Sequence, residues 1–291
     1  MLKFEMRDLS PNSQNKFCLK FLGISIVKNN NSLFLSQKDL IQKVLNKFNM
    51  TSCKTSNIPV QTKLNLKQDD TDEFKNVNLP YRELVGFIMY IMLATRPDLS
   101  YSIYYFSRFQ NCFTQEHWTY LKNVLRYLKS TECYGLKYER SVPQNSQVIS
   151  AYVDADYAND TIDRKSISGF GIKIFNNFIF WKSKKQPTVS LISTEAEYIA
   201  LSECTTDCMF VGHLLSEVLN KNTFPIKIFE DNQSTIKIAN TLETRRSKHI
   251  DVKHHFIREC INSGKINLKY ISTSEQIADI FTKALPFSKF K

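Results

Sequence analysis

The chain has 291 residues, 39 Lys+Arg against 28 Asp+Glu, a net charge of +11, and 42% apolar and 12% aromatic side chains. That is ample material for packed cores in about two domains, which excludes general disorder. No apolar run approaches the ~20 residues needed to cross a bilayer, and the opening MLKFEMRDLSPNSQN lacks the apolar stretch of a secretory signal, so membrane and secreted classes are disfavoured.

The first region opens with a strand-like piece, FCLKFLGISIV (17–27). LFLSQKDLIQKVLNKFNM (33–50) then places apolar residues at 40, 41, 44, 45 and 48, a helical period. Residues 53–80 read as a polar loop, and YRELVGFIMYIMLA (81–94) as a nearly all-apolar, buried helix that needs a partner surface. Pro97 opens a further helix, DLSYSIYYFSRF, and EHWTYLKNVLRYLKS (116–130) makes another. SVPQNSQ (141–147) is a polar linker with Pro143, which divides the chain into domains at 1–147 and 148–291.

Beyond the linker the pattern turns to strands: VISAYVD (148–154), SGFGIKIF (168–175), FIFWK (178–182) and TVSLIS (188–193). A long helix follows from about 194 to 219, then the strand PIKIFE (225–230), a short helix NQSTIKIAN and a helix KHIDVKHHFIRECINSG. The strand KINLKYIS and a last helix SEQIADIFTKAL complete a mixed sheet flanked by helices, an α/β fold.

Charge is unevenly spread, with a net +8 on residues 1–150 and +3 on 151–291. Such an excess suits a polyanionic partner, most commonly nucleic acid, although it also suits simple solubility. Seven scattered cysteines without a C-x-x-C read as reduced thiols of an intracellular, cytoplasmic or nuclear protein. Cys204 and Cys208 share an apolar helical stripe, and His249, His254 and His255 lack cysteine partners at zinc-finger spacing.

Carboxylates in the second region fall at strand ends and helix starts: Asp154 and Asp156, Glu195 and Glu197, Asp231, and Asp279. Converging at one sheet edge, such groups would hold hard divalent cations, which prefer oxygen ligands. Two ions about 3.5–4 Å apart can clamp a phosphodiester for in-line attack. Each acid also has a purely structural explanation: Asp231 as a helix N-cap, Glu197 in a capping box with Thr194, Asp279 beside a helix N-terminus. Residues two apart on a helix lie about 200° around it, so Glu195 and Glu197 cannot face one site. Glu197 continues into Leu201, Cys204, Cys208 and Val211, the inward stripe, and is the better ligand. Asp154 adjoins the apolar run and is preferred, with Asp156 as second candidate.

YVDADYANDTIDRKSISGF, FWKSKKQPTVSLISTEAEYIALSE, IFEDNQSTIKIA, KHIDVKHHFIRE and YISTSEQIADIFTKAL resemble, in order, the ribonuclease H domain of copia-type (Ty1/copia) retrotransposon Pol polyproteins. FLGISI, CKTSNIPV, LPYRELVGFIMYIMLATRPDLSYSIYYFSRF and HWTYLKNVLRYLKST with GLKY resemble the segment that ends the reverse transcriptase palm and forms thumb and connection. The resemblance implies a ribonuclease H-like mixed five-stranded sheet, preceded by a mainly helical thumb/connection fragment. It implies that Asp154, Glu197, Asp231 and Asp279 are the metal-binding carboxylates, with two Mg²⁺ ions or Mn²⁺ in their place. It implies hydrolysis of the RNA strand of an RNA–DNA hybrid, without a small-molecule cofactor. Lys182, Lys184 and Lys185 would lie on a basic strand-to-strand turn suited to backbone phosphates.

The family's Tyr-x-Asp-Asp hairpin is not in the sequence, so polymerase activity is not expected of it. Nor does the short KYISTSEQIAD segment carry the histidine that many cellular relatives place before the last helix. The competing expectation is a non-catalytic, nucleic-acid-binding remnant of a decayed element.

Overall fold

The computed structural model describes residues 17–67, 78–140, 148–160, 162–241 and 248–290. They fall into two units, Met1–Arg140 with Ala284–Lys291, and Ser141–Lys283. The linker expected at 141–147 lies outside the described residues, as do residues 68–77 of the polar loop.

In the first unit the strand-like opening is a hairpin of β1 (Phe17–Phe21) and β2 (Ile24–Lys28). Its two-residue turn sets Leu22 and Gly23 at φ 48° and 78°, the doubly positive geometry that matches strand twist. β3 (Ser32–Ser36) and β4 (Gly135–Glu139) extend it into an antiparallel sheet of order β1-β2-β3-β4. The pairing Leu35↔Leu136 joins residues a hundred positions apart, a contact no local pattern announces.

Helices supply most of this unit's regular structure: α1 (Lys38–Lys47), α2 (Tyr81–Thr95), α3 (Ser100–Ser107) and α4 (Gln115–Ser130). Pro97 opens a 3₁₀ turn, Pro97–Leu99, ahead of α3. α2 buries Tyr81, Leu84, Val85, Ile88 and Ile91, a helical stripe, while Tyr90 on its other side donates its hydroxyl to the Leu22 carbonyl of the hairpin. α4 buries Leu121, Val124, Leu125 and Leu128. Among these apolar groups Arg96 is fully buried and charge-paired. Its Nε lies 2.9 Å from Asp98 Oδ1 and its Nη2 2.6 Å from Asp98 Oδ2. Arg96 Nη1 also donates to the Thr131 carbonyl at 3.0 Å, and the Tyr127 hydroxyl donates to Asp98 Oδ2 at 2.8 Å.

The second unit is a five-stranded sheet of order β7-β6-β5-β8-β9, with β5 (Ile149–Asp156), β6 (Ile167–Ile174), β7 (Asn177–Lys185), β8 (Ile226–Glu230) and β9 (Ile266–Tyr270). β5, β6 and β7 pair antiparallel, whereas β5–β8 and β8–β9 are parallel. This is the ribonuclease H-like mixed sheet that the resemblance implies. Its central strand β5 alternates inward Ile149, Ala151 and Val153 against α5 (Ser193–Leu219), whose Ala196, Ala200, Leu201, Cys204 and Cys208 share the same core. The parallel crossover from β8 to β9 carries α6 (Gln233–Asn240) and α7 (Lys248–Asn262).

Two expected elements differ. TVSLIS is not a strand: Val189 and Leu191 are exposed, Ser190 donates to Gln186, and the Leu191 amide donates to the Glu195 carboxylate at 2.7 Å. The segment is a lead-in to α5, held by side-chain bonds instead of a sheet partner. The last helix is also shorter than SEQIADIFTKAL, running only over α8 (Asp279–Thr282), with a separate turn of helix, α9 (Phe287–Phe290), beyond it. Pro286, with no amide hydrogen, separates the two.

Candidate metal centre

Asp154 stands near the end of β5, Glu197 in the second turn of α5, and Asp231 immediately after β8. One carboxylate oxygen from each lies within 4.8 Å of the other two. Asp154 and Glu197 are buried, and Asp231 is partly exposed, so the cluster opens to solvent on one side. The parallel pairing of β5 with β8 sets two of these acids side by side, and α5 packed on β5 delivers the third.

The capping explanations for Asp231 and Glu197 do not hold here, whereas Asp279 does stand at a helix N-terminus. The α6 N-cap is Asn232, whose Oδ1 accepts from the Thr235 amide at 3.0 Å, which leaves Asp231 free of capping duty. Glu195 accepts from the Leu191 amide just ahead of α5, and Glu197 turns inward as its helical phase requires. Asp156, the second candidate, bonds instead to the side-chain amide of Asn159.

Asp279 opens α8 and is joined to the cluster through Lys283. Lys283 Nζ lies 2.9 Å from Asp279 Oδ1 and 3.3 Å from Asp154 Oδ2. Thr282, fully buried, donates its hydroxyl to the same Asp154 oxygen. α8 can sit this close because Asp154 is paired across the sheet with Gly169. A Cβ at Gly169 would stand 2.5 Å from Thr282 Cγ2 and 2.7 Å from Phe281 Cβ, so only glycine leaves room.

The electrostatics are those of crowded, buried acids with the Lys283 ammonium beside two of them. Burial, then the charges of Glu230, Asp154 and Asp231, pushes the Glu197 carboxyl well above the usual range. Burial raises Asp154 also, with Asp279 adding to it and Lys283 and Thr282 opposing. Burial disfavours the Lys283 charge, yet Asp154 and Asp279 outweigh it and hold the ammonium more firmly protonated than an ordinary lysine.

Sequence reasoning missed Glu230, Thr282, Lys283 and Gly169. Glu230 is fully buried, accepts from the Asn232 amide at 3.0 Å through Oε1, and is pushed well above the usual carboxylate range by burial and by Asp231 and Asp154. The alternation in IKIFE, with Ile226, Ile228 and Glu230 inward, carried that signal. Lys283 was legible as the i+4 partner of Asp279.

The donor set fits a hard divalent cation. It is all oxygen, as such ions prefer, and Glu197 Oε2 is buried without any hydrogen-bond partner. Among the described residues no other group of three or more metal-ligating side chains converges. His254 packs at a tilt against Tyr198, 3.9 Å between ring centroids, and the side chain of His249 lies outside the described residues. No disulfide joins any of the seven cysteines.

The three lysines stand on β7 itself, not on a turn, each beside an acid. Lys182 pairs with Asp207 at 3.2 Å, Lys184 with Glu203 at 3.1 Å, and Lys185 with Asp160 and, at 2.8 Å, Asp163. No helix among the described residues is long and apolar enough to cross a membrane.

No protein-family model matches the chain. It is similar to the Retrovirus-related Pol polyprotein from transposon TNT 1-94 of Nicotiana tabacum, 36% identical over an alignment of 296 positions that covers 99% of this chain and 22% of that protein. The corresponding polyprotein from transposon RE2 of Arabidopsis thaliana is 35% identical over 266 residues, 91% of this chain and 18% of its own length. The chain thus spans about a fifth of the length of the curated relatives it matches.

Among solved structures, the N-terminal RNase H domain of a Mycobacterium tuberculosis protein, fused to maltose binding protein, is similar over 47% of this chain and 91% of that one, at 10% identity and TM-score 0.37. The foamy viral protease-reverse transcriptase in complex with RNA/DNA hybrid is similar over 92% of this chain and 30% of that one, at 12% identity and TM-score 0.45. Over nearly its whole length, the chain is thus similar to one stretch of the copia-type retrotransposon Pol polyproteins.

Proposed function

We propose that the second unit is a divalent-metal-dependent ribonuclease H that hydrolyses the RNA strand of an RNA–DNA hybrid. The observation that carries this reading is the approach of Asp154, Glu197 and Asp231 to within 4.8 Å, at one edge of a ribonuclease H-like sheet. Asp154, Glu197, Asp231 and Asp279 would hold two Mg²⁺ ions, with Mn²⁺ as a substitute. Bound ions there supply positive charge to the scissile phosphate and to the attacking and leaving oxygens.

The chain's own groups prepare that step. Thr282 fixes one oxygen of Asp154 by hydrogen bonding, so this carboxylate is oriented before substrate arrives. Glu197, with its raised proton affinity, releases its proton as it becomes a ligand, which ties ion binding to pH. Lys182, Lys184 and Lys185 would exchange their acidic partners for backbone phosphates and set the register of the duplex. The 2′-hydroxyl is the feature by which the RNA strand is told from DNA.

No polymerase step is assigned to these residues, which contain no Tyr-x-Asp-Asp. The first unit, with the larger share of the positive charge, would bind duplex nucleic acid. We place the action inside the cell, in cytoplasm or nucleus, on the seven cysteines without a disulfide.

A second reading, a nucleic-acid-binding remnant that does not cut, is favoured by one observation: the Lys283 ammonium already sits between Asp154 and Asp279. The test is a strand-labelled RNA–DNA hybrid incubated with the protein in Mg²⁺ and in chelator. Cleavage of the RNA strand only, and only with Mg²⁺, supports the nuclease. Salt-sensitive binding without cleavage supports the remnant.

A further inference from the structure

Lys283 is the one cation ion-paired with two of the four acids among the described residues, and it does so at 2.9 and 3.3 Å. Its place in the chain makes that contact reversible. Asp154 and Asp279 are anchored, with side chains only 4% and 5% exposed, whereas the Lys283 side chain is 33% exposed and follows the end of α8. A flexible four-carbon stem can swing the ammonium out to solvent without moving the helix.

Glu197 and Asp231 belong with Asp154 to the oxygen cluster, and Glu197 Oε2 is buried with no hydrogen-bond partner. Asp279 stands outside that group, and the ammonium between it and Asp154 fills the place of a second cation held by those two acids. Two divalent ions serving one phosphodiester stand about 3.5–4 Å apart. A lysine ammonium cannot share so short a space with a second ion, because like charges at that distance repel strongly.

We propose that Lys283 is a built-in counter-cation that keeps the Asp154–Asp279 side closed to a second divalent ion until nucleic acid is bound. The proposal rests on the metal-centre reading above. In the free protein one divalent ion enters, at Asp154, Glu197 and Asp231, while Lys283 neutralises the rest. When a phosphodiester arrives, its charge draws a second ion in and offers the displaced ammonium a new partner. Chemistry is thereby confined to the moment when substrate is present.

The test counts Mn²⁺ bound to the full chain without nucleic acid, from the electron paramagnetic resonance of the free ion. The wild type should bind one ion tightly. Lys283→Ala and Lys283→Gln should bind a second at least ten-fold more tightly than the wild type does, and Lys283→Arg should behave as the wild type. Circular dichroism of each variant establishes that it is folded, and the pair of neutral variants guards against the misfolding of one. Equal stoichiometry and affinity in wild type and neutral variants would overturn the counter-cation role and leave the metal centre standing. No bound ion in any of the proteins would overturn the metal centre itself, and this proposal with it.

Discussion

Asp154 and Gly169 face each other across the antiparallel pairing of β5 and β6, and the side chain missing at Gly169 is the space through which Thr282 reaches Asp154. The acid on the strand and the acid on α8 are therefore joined through a glycine that performs no chemistry. Packing, rather than sequence proximity, brings Asp279 and Lys283 to a carboxylate more than a hundred residues away.

Gly169→Ala should consequently damage the site without touching a ligand. The added methyl meets Thr282 Cγ2 at 2.5 Å and Phe281 Cβ at 2.7 Å, and overpacking of this kind costs about 1–3 kcal/mol. Thermal unfolding should show the loss, and tight Mn²⁺ binding should weaken with it as Asp154 loses its Thr282 bond. Unchanged stability would mean that α8 does not need the close approach.

Removing the Glu197 charge should have opposite effects on stability and activity. Glu197→Gln deletes a buried carboxylate that is pressed by Glu230, Asp154 and Asp231. Metal-free protein at pH 8 should gain about 1–3 kcal/mol, since an uncompensated buried charge is costly, while hybrid cleavage falls at least about 100-fold. Calorimetry and the cleavage assay check the two halves separately.

The pH dependence of the metal-free protein follows from the same groups. Glu197 and Glu230 hold protons more tightly folded than unfolded. Their contribution is fully present below the ordinary glutamate range, about pH 4.5, and is lost as pH rises through their raised folded values. The melting temperature should therefore decline from mildly acidic pH toward pH 8, and Mg²⁺ should restore more of it at pH 8 than at pH 5.5, by binding the folded state only. Glu230→Gln should flatten the decline. A melting temperature that rises steadily with pH across this window would contradict the assignment.

Several of these relationships were legible in the sequence, and the reasons are physical. Helical phase alone separated Glu197 from Glu195, and the structure turns the two in the directions that phase requires. The apolar runs marked β5, β8 and α5 because each is buried against the same core. TVSLIS misled because its β-branched and apolar residues look like a strand, whereas bonds to Gln186 and Glu195 hold the segment as a lead-in to α5. The pairing of β3 with β4 and the reach of Lys283 to Asp154 depend on long-range closure, which leaves no trace in local pattern.

In the first unit, Arg96 offers a check on the buried network. Its guanidinium is enclosed with Asp98, Tyr127 and Thr131, so Arg96→Ala leaves Asp98 charged and unpaired. A loss of about 3–5 kcal/mol is expected, read as a lowered midpoint in urea unfolding followed at the first unit's tryptophan, Trp118. A change below about 1 kcal/mol would show the pair to be worth no more than a surface bridge.

The lysines of β7 should affect grip rather than chemistry. Lys184→Ala removes a half-exposed pair with Glu203 and should cost less than about 1 kcal/mol of stability. The slope of log affinity for hybrid against log salt should fall by about one if that lysine reaches a phosphate. An unchanged slope would remove Lys184 from the interface.

The central claim is tested most directly by the rate of RNA-strand cleavage in Mg²⁺ for the wild type beside Asp231→Asn, a conservative change at the most exposed acid of the cluster. The account predicts cutting of the RNA strand alone by the wild type and at least about 100-fold slower cutting by the variant. Equal rates in the two proteins, including no cleavage by either, would contradict it.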